Sequence, residues 1–345
     1  MQLHELITEL CSLSGPSGFE ERVFSRIREI LEPLVDEIST DPLGNLIAVK
    51  KCGKPDAKKL MLNAHIDEIG LIVTGHEKGF LRFSSIGGVD PRMLPARELR
   101  VLTDPPIFGV IDTMPPHVLT DEEKEKSLDP KKLFIDVGFG EEEVKTRVPL
   151  GTPVVFADGC ERFAENRICG KSLDDRACAA ILIKVFERLK DASLDIDLFL
   201  LLSTQEEVGL RGAVPGTFSV NPDFAVAVDV THAATPDSKK GETLDMCKGA
   251  VIAVGPNMSR VVSNRLFEIA RSKEIPYQTE VLSGPSGTDA WAIQVSREGV
   301  LTGLVSLPIK YMHTPVELMD ISDAEAVVKL LTEYVLTFGK ETDNV

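Results

Sequence analysis

The run Leu198-Phe199-Leu200-Leu201-Leu202-Ser203-Thr204-Gln205-Glu206-Glu207-Val208-Gly209 decides how the rest of the chain is read. Its apolar half is too continuous for a strand with one wet face. It reads as a buried strand of a parallel or mixed sheet covered on both sides. The strand ends in two adjacent carboxylates and a glycine turn, and ligands of open α/β sheets gather at the carboxyl ends of strands. Neighbouring carboxylates point different ways, so one can hold a metal while the other reaches a water molecule. A Glu-Glu pair alone would read as a solvated strand end, but three other strand ends change that weighing.

Working outward, the apolar strand Lys59–Ala64 runs into His65-Ile66-Asp67-Glu68. His65 and Asp67 are two apart, so in extended chain both lie on one face, and one can hold a metal while the other fixes its tautomer. Phe224–Val228 is another buried strand, ending at Asp229, and Leu301–Leu307 leads to Tyr311-Met312-His313. Ser172-Leu173-Asp174-Asp175-Arg176 opens a helix to about Lys190; by themselves, two acids in a first turn are explained by the macrodipole. Two histidines with several carboxylates form a hard-to-borderline ligand set that suits Zn²⁺, Co²⁺ or Mn²⁺ and not thiolate zinc or iron–sulfur.

The flanks of these strands are helical. Residues 3–12 and about 19–31 have amphipathic spacing, and Glu37–Lys50 reads as a hairpin turning at Pro42-Leu43-Gly44-Asn45. From about 70 to 159 the texture changes to short β runs punctuated by Gly and Pro: Gly70–Thr74, Phe80–Ser84, Leu99–Leu102, Phe108–Asp112, Leu133–Val137 and Pro153–Phe156. That predicts a small β-barrel or sandwich. Thr120–Lys132 reads as a charged loop or short helix, and the end after Lys340 as a frayed tail. The expected architecture is α/β, with a mixed-sheet core from 1–69 and 160–345 interrupted by a β insertion over 70–159.

Composition narrows the function classes. The chain has 345 residues, 43% of them hydrophobic, and a formal net charge of -16. Such acidity provides no electrostatic footprint for nucleic acid or an anionic membrane. Six cysteines without a C-x-x-C pair fit idle thiols in a reducing cytosol. No apolar run approaches the ~18 residues of a membrane span. These features lead us to expect a cytoplasmic protein.

At this point the residues carry a resemblance. Pro16-Ser17-Gly18-Phe19-Glu20, Asn63-Ala64-His65-Ile66-Asp67-Glu68-Ile69-Gly70, Leu173-Asp174-Asp175-Arg176, Gln205-Glu206-Glu207-Val208-Gly209, Val228-Asp229-Val230, Gly287-Thr288-Asp289-Ala290 and Tyr311-Met312-His313 occur in order over the whole chain. Together they resemble the M42 dinuclear metallo-aminopeptidases, the tetrahedral and glutamyl aminopeptidase-like enzymes. The resemblance implies a zinc-peptidase core with an inserted β-barrel at 70–159 used for dimerisation. It implies two divalent ions per subunit, Zn²⁺ or Co²⁺, with His65 and Asp229 on one, Glu207 and His313 on the other, and Asp174 bridging. Glu206 would be the general base for a water shared by the ions. Asp67 would complete the catalytic set behind His65, and Asp175 would stand behind the ligands. The implied substrates are peptides with a free N-terminus, and the implied assembly is a dimer or tetrahedral dodecamer.

Three rivals remain. A dinuclear carboxypeptidase or deacylase could share the core. An endoglucanase would want two carboxylates flanking a sugar and aromatic platforms, yet aromatics are 6% with Trp291 the only tryptophan. A catalytically dead binding protein would show a lost ligand or base, and every one is present.

Overall fold

Leu198–Leu202 lies in the strand β12 (Asp197–Ser203) at the heart of an eight-stranded sheet in a computed structural model. The structure describes residues 1–337 except 116, 119, 121–128, 240 and 242. Most of the charged stretch Thr120–Lys132 and the tail after Lys340 fall outside the described residues.

The sheet runs β1-β2-β12-β3-β13-β16-β14-β15. Its members are β1 (Glu37–Thr40), β2 (Leu46–Lys50), β3 (Lys59–His65), β13 (Phe224–His232), β14 (Ala250–Val254), β15 (Tyr277–Val281) and β16 (Leu301–Ile309), besides β12. β12, β3, β13 and β16 are mutually parallel, with β2 and β14 antiparallel at their flanks. The parallel strands are buried on both faces, as continuous apolar runs require. Even-numbered residues such as Leu60, Leu62, Leu200 and Val226 pack under the helices Leu3–Ser12, Glu21–Leu31, Leu173–Arg188, Arg260–Ser272 and Ile321–Thr337. Odd-numbered Met61, Leu201, Ala225 and Ala227 face the helices Ala213–Val220 and Ala290–Ile293. The mixed α/β class expected from the sequence is the class observed.

The six short runs between 70 and 159 close into a barrel instead of a sandwich, ordered β4-β5-β8-β7-β6-β9. Its strands are β4 (Gly70–Glu77), β5 (Phe80–Ile86), β6 (Glu98–Val101), β7 (Ile107–Ile111), β8 (Ile135–Asp136) and β9 (Pro153–Phe156). Leu71, Val73, Leu81, Leu99, Val101, Ile135 and Val154 fill it as a second core separate from that of the sheet. A barrel leaves no unpaired edge, which a six-strand sandwich of this length would have to protect.

Several elements escaped the sequence reading, the helix Ala213–Val220 among them. The strands β10 (Cys160–Phe163), β11 (Arg167–Gly170) and β17 (Glu317–Asp320) form a small antiparallel sheet. The helix Glu141–Arg147 carries three acids in its first turn and two bases in its last.

Two expectations need correction. Asp174 and Asp175 do not sit as first-turn helix acids: their backbones are non-helical, across a cis peptide bond, and the regular helix begins after them. Asp229 does not end its strand: β13 continues three residues further to His232, paired with β16 throughout.

Candidate metal centre

The register of two strands brings the first ligands together. Parallel pairing sets Ser203, the last residue of β12, beside His65, the last of β3. The turn after β12 therefore lands on the turn after β3. Asp67 anchors it there: Oδ1 accepts the Glu206 N–H at 3.0 Å, Oδ2 accepts the Glu207 N–H at 3.2 Å, and the Ser17 hydroxyl donates to Oδ2 at 2.6 Å. Gln205 takes a left-handed φ of 55° to make the corner, and its N–H donates to Glu20.

Asp174 enters from the other side and faces both histidines. Its Oδ1 lies 3.1 Å from His65 Nε2 and its Oδ2 3.3 Å from His313 Nε2. Glu207 Oε2 is 3.4 Å from the same His313 nitrogen, and Glu206 Oε2 is 3.9 Å from His65 Nε2. His65, Asp174 and Glu207 present ligand atoms within 4.8 Å of one another, and so do His65, Asp175 and Asp229. Thus His65, Asp174, Asp175, Glu206, Glu207, Asp229 and His313 converge on one site, with Asp67 directly behind it.

Both imidazoles are oriented by their remote nitrogens. His65 Nδ1 lies 3.2 Å from the Asp67 carbonyl and 3.5 Å from its carboxylate. His313 Nδ1 lies 3.2 Å from the Gly88 carbonyl. Each acceptor suits a proton on Nδ1, so that loss of the other proton would present Nε2 to the site, the arrangement metal-bound histidines need. Backbone strain collects here too: Ser172, Gln205 and His313 all have positive φ.

Residues the sequence reading passed over hold these ligands. Glu317 accepts the Asp174 N–H at 3.0 Å and the His313 N–H at 2.9 Å, so one buried carboxylate fixes two ligand backbones. Gly88 of the barrel packs against the His313 ring, where a Cβ would come within 2.6 Å of Nδ1. The doublet Gly87-Gly88 was the available signal, and it read only as a turn. Asp289, from the matched Gly287–Ala290 motif, accepts from Asn63 at 3.1 Å and from Ser203 at the ends of β3 and β12.

Charge in the site is unbalanced. Burial, with the charges of Asp229, Asp289 and Asp174, pushes the Glu206 carboxyl up to about 10 against the pull of His65. Burial and Asp174 push Glu207 to about 7. Burial, followed by neighbouring acids, also raises Asp229 and Asp175. Asp174 goes the other way: burial opposes ionisation, but the two histidines hold it low. His313, bonded to Asp174, rises to about 9. Asp175 Oδ1 is buried with no hydrogen-bond partner. Crowded carboxylates, two imidazoles aimed among them and an orphaned buried oxygen fit divalent cations and no neutral ligand.

A second charged cluster abuts the first. Glu68 pairs with Lys171 at 2.6 Å and with Arg176 at 3.1 Å, all three buried, and the Ser172 hydroxyl donates to it. Arg176 also donates to the carbonyls of Ile66 at 3.0 Å and Gly15 at 3.1 Å. Burial works against Glu68, yet Arg176 and Lys171 bring it down to about 2.

The sequence profile described as M42 glutamyl aminopeptidase matches residues 44–330. The chain is 38% identical over 333 residues to the lysyl aminopeptidase of Pyrococcus furiosus, covering 94% of each. Among solved structures, an aminopeptidase of the archaeon Desulfurococcus kamchatkensis is 36% identical with a TM-score of 0.90, covering 97% of this chain and 94% of that one. A TET1 peptidase of Pyrococcus horikoshii, described as assembling into a tetrahedron or a large octahedral shell, is 31% identical with a TM-score of 0.85, covering 97% and 99%.

Proposed function

The chain belongs to the M42 glutamyl aminopeptidase family and is a peptide hydrolase of the aminopeptidase class, and from that premise we propose how its site removes the first residue of a peptide. The observation that carries the reading is Asp174, whose two oxygens each face a different imidazole, at 3.1 Å and 3.3 Å. One carboxylate between two ligand sets is the layout of a two-ion centre. In this reading Asp174 would be shared, with His65 and Asp229 holding one ion and Glu207 and His313 the other. Asp67 orients His65, and Asp175 steadies the first set through the His65 N–H at 3.1 Å. The ligands suit Zn²⁺ or Co²⁺. When bound, such a pair supplies Lewis acidity, lowering the pKa of water and polarising a peptide carbonyl.

The chain's own residues do the rest. Glu206 is buried, lies 3.9 Å from His65, and has its backbone pinned to Asp67. With cations bound to offset Asp229 and Asp174, which hold its carboxyl protonated in their absence, Glu206 would ionise, take a proton from the attacking water and return it to the leaving amine. Carboxylates left over after ligation attract a free α-amine, which restricts cleavage to the first bond. Glycoside hydrolysis fits poorly, because these carboxylates converge on imidazoles instead of flanking a sugar-sized gap.

Self-assembly of the Pyrococcus horikoshii relative supports a homo-oligomer here; in this reading the barrel of 70–159 is the dimerisation element and six dimers build a tetrahedral dodecamer. Among the described residues no helix is long and apolar enough to cross a membrane. The cysteines are free, which suits a cytoplasmic place of work.

The test is hydrolysis of aminoacyl-p-nitroanilides. Chelation should abolish cleavage, Zn²⁺ or Co²⁺ should restore it, and N-acetylated substrates should resist. Glu206→Gln should keep both metals and lose at least ~10²-fold in kcat. Near-normal turnover by that variant would remove Glu206 from the role of base.

A further inference from the structure

Glu280 reaches Thr231, two residues along β13 from the proposed ligand Asp229, and no step above uses it. Asp229 and Thr231 are two apart on β13 and so share a face of the sheet. The Thr231 hydroxyl donates to Glu280 Oε1 at 2.7 Å. Glu280 belongs to β15, separated from β13 by β16 and β14. Strands lie about 4.8 Å apart, so a flat sheet would hold these two backbones roughly 14 Å apart. The bond therefore requires the β14–β15 edge to curl over the end of β13. That curl raises a wall next to Asp229, and Glu280 is a charged group on it.

The carboxylate is under-committed. Thr231 is buried and Glu280 half-buried. A neutral hydroxyl is the one partner the structure gives Glu280, and among the described residues no Lys, Arg or His pairs with it. An ionised carboxylate can accept about four hydrogen bonds, so most of its capacity is open.

We propose that Glu280 reads the side chain of the substrate's first residue and that the class it selects is cationic, lysine or arginine. This rests on the aminopeptidase reading of the metal centre. That reading fixes the α-amine and the first carbonyl at the ligands, leaving the side chain to run along a wall. Two residues of strand, about 7 Å, separate Asp229 from Thr231, a span suited to the long stem of lysine or arginine. A leucine reaching the same place would strip water from the carboxylate without replacing it, and a glutamate would meet like charge. The formal charge of -16 adds long-range attraction in the same direction.

The experiment compares kcat/KM for Lys-, Arg-, Leu- and Glu-p-nitroanilide on the metal-restored protein. The wild type should favour Lys and Arg over Leu. Glu280→Gln should lower the Lys/Leu ratio about tenfold or more, chiefly through KM. Glu280→Asp, which keeps the charge, should retain most of the ratio, and Glu280→Lys should shift preference toward the glutamyl substrate. A ratio unchanged within twofold in Glu280→Gln overturns the inference. So does an equal fall for all four substrates, which would make Glu280 a prop for Thr231. If the wild type cleaves none of the four after metal is restored, the reading of the centre fails first and takes this inference with it.

Discussion

Two buried charged clusters share the same two short segments of chain and are built on opposite plans. In one, Glu68 meets Lys171 and Arg176, so acid and base are both supplied by the protein. In the other, begun by His65 and Asp67 on one segment and Asp174 and Asp175 on the other, carboxylates crowd together with two imidazoles and no Lys or Arg bonded among them. Glu68 consequently ionises readily in the first cluster, near 2, whereas in the second burial lifts Glu206 to about 10. A self-neutralised cluster can serve as scaffold. One that lacks cations is a receptor for them. The scaffold also fixes the receptor, since Arg176 grips the Ile66 carbonyl between His65 and Asp67.

The strongest way to break that contrast is to remove the scaffold's acid. Glu68→Gln leaves Lys171 and Arg176 buried and unpaired and should cost about 3–5 kcal/mol of stability. Added Zn²⁺ or Co²⁺ should not restore it, because the deficit lies outside the receptor. Urea unfolding at neutral pH, with and without metal, measures both; a loss under 1 kcal/mol would mean the network is not self-contained. A smaller effect is expected on the receptor side. Asp67→Asn keeps the shape but weakens the hold on His65 and should reduce metal affinity by about 10–100-fold, read by titrating a competing chelator. Unchanged affinity would detach Asp67 from the centre.

A third test separates the clusters by the sign of their pH dependence. In the metal-free protein Glu207 titrates near 7 and Glu206 near 10, whereas unfolded glutamates titrate near ~4.3. The folded form then binds more protons than the unfolded one, so its stability falls as pH rises through 7. His313, raised to about 9 by Asp174, acts in the same direction. Glu68, depressed to about 2, contributes fully above ~4.3 and is flat across neutral pH. The melting temperature of chelated protein should therefore drop from pH 5.5 to 8.5, and added metal should raise it more at 8.5. Parallel melting curves with and without metal, flat over this range, would contradict the charge imbalance in the receptor.

Much of this was legible in the sequence because it follows from local periodicity. All six barrel strands were readable as apolar runs between Gly and Pro, and the hairpin over 37–50 and the helix over 3–12 fell where their patterns ended. The small sheet was not legible, since Cys160–Phe163 is largely exposed and has no apolar alternation. The helix Ala213–Val220 was masked by Pro215 and Gly216 within it. Glu141–Arg147 could have been found from its acid-to-base gradient and four-residue charge pairs. The ligand residues stood out because they interrupt apolar strands. Glu317 and Gly88 did not, because their roles arise from contacts 143 and 225 residues away in sequence.

The Gly88 contact ties the barrel to the sheet's chemistry. A barrel inserted between two halves of a sheet domain could be trimmed without disturbing it, but this one carries a peg of the candidate metal centre. Its carbonyl lies 3.2 Å from His313 Nδ1, where it can accept the ring's proton, and its lack of a side chain makes room for the ring. Excising 70–159 and sealing the gap would leave His313 without its tether. Exchanging the barrel for another therefore means carrying over the Gly87-Gly88 corner as well.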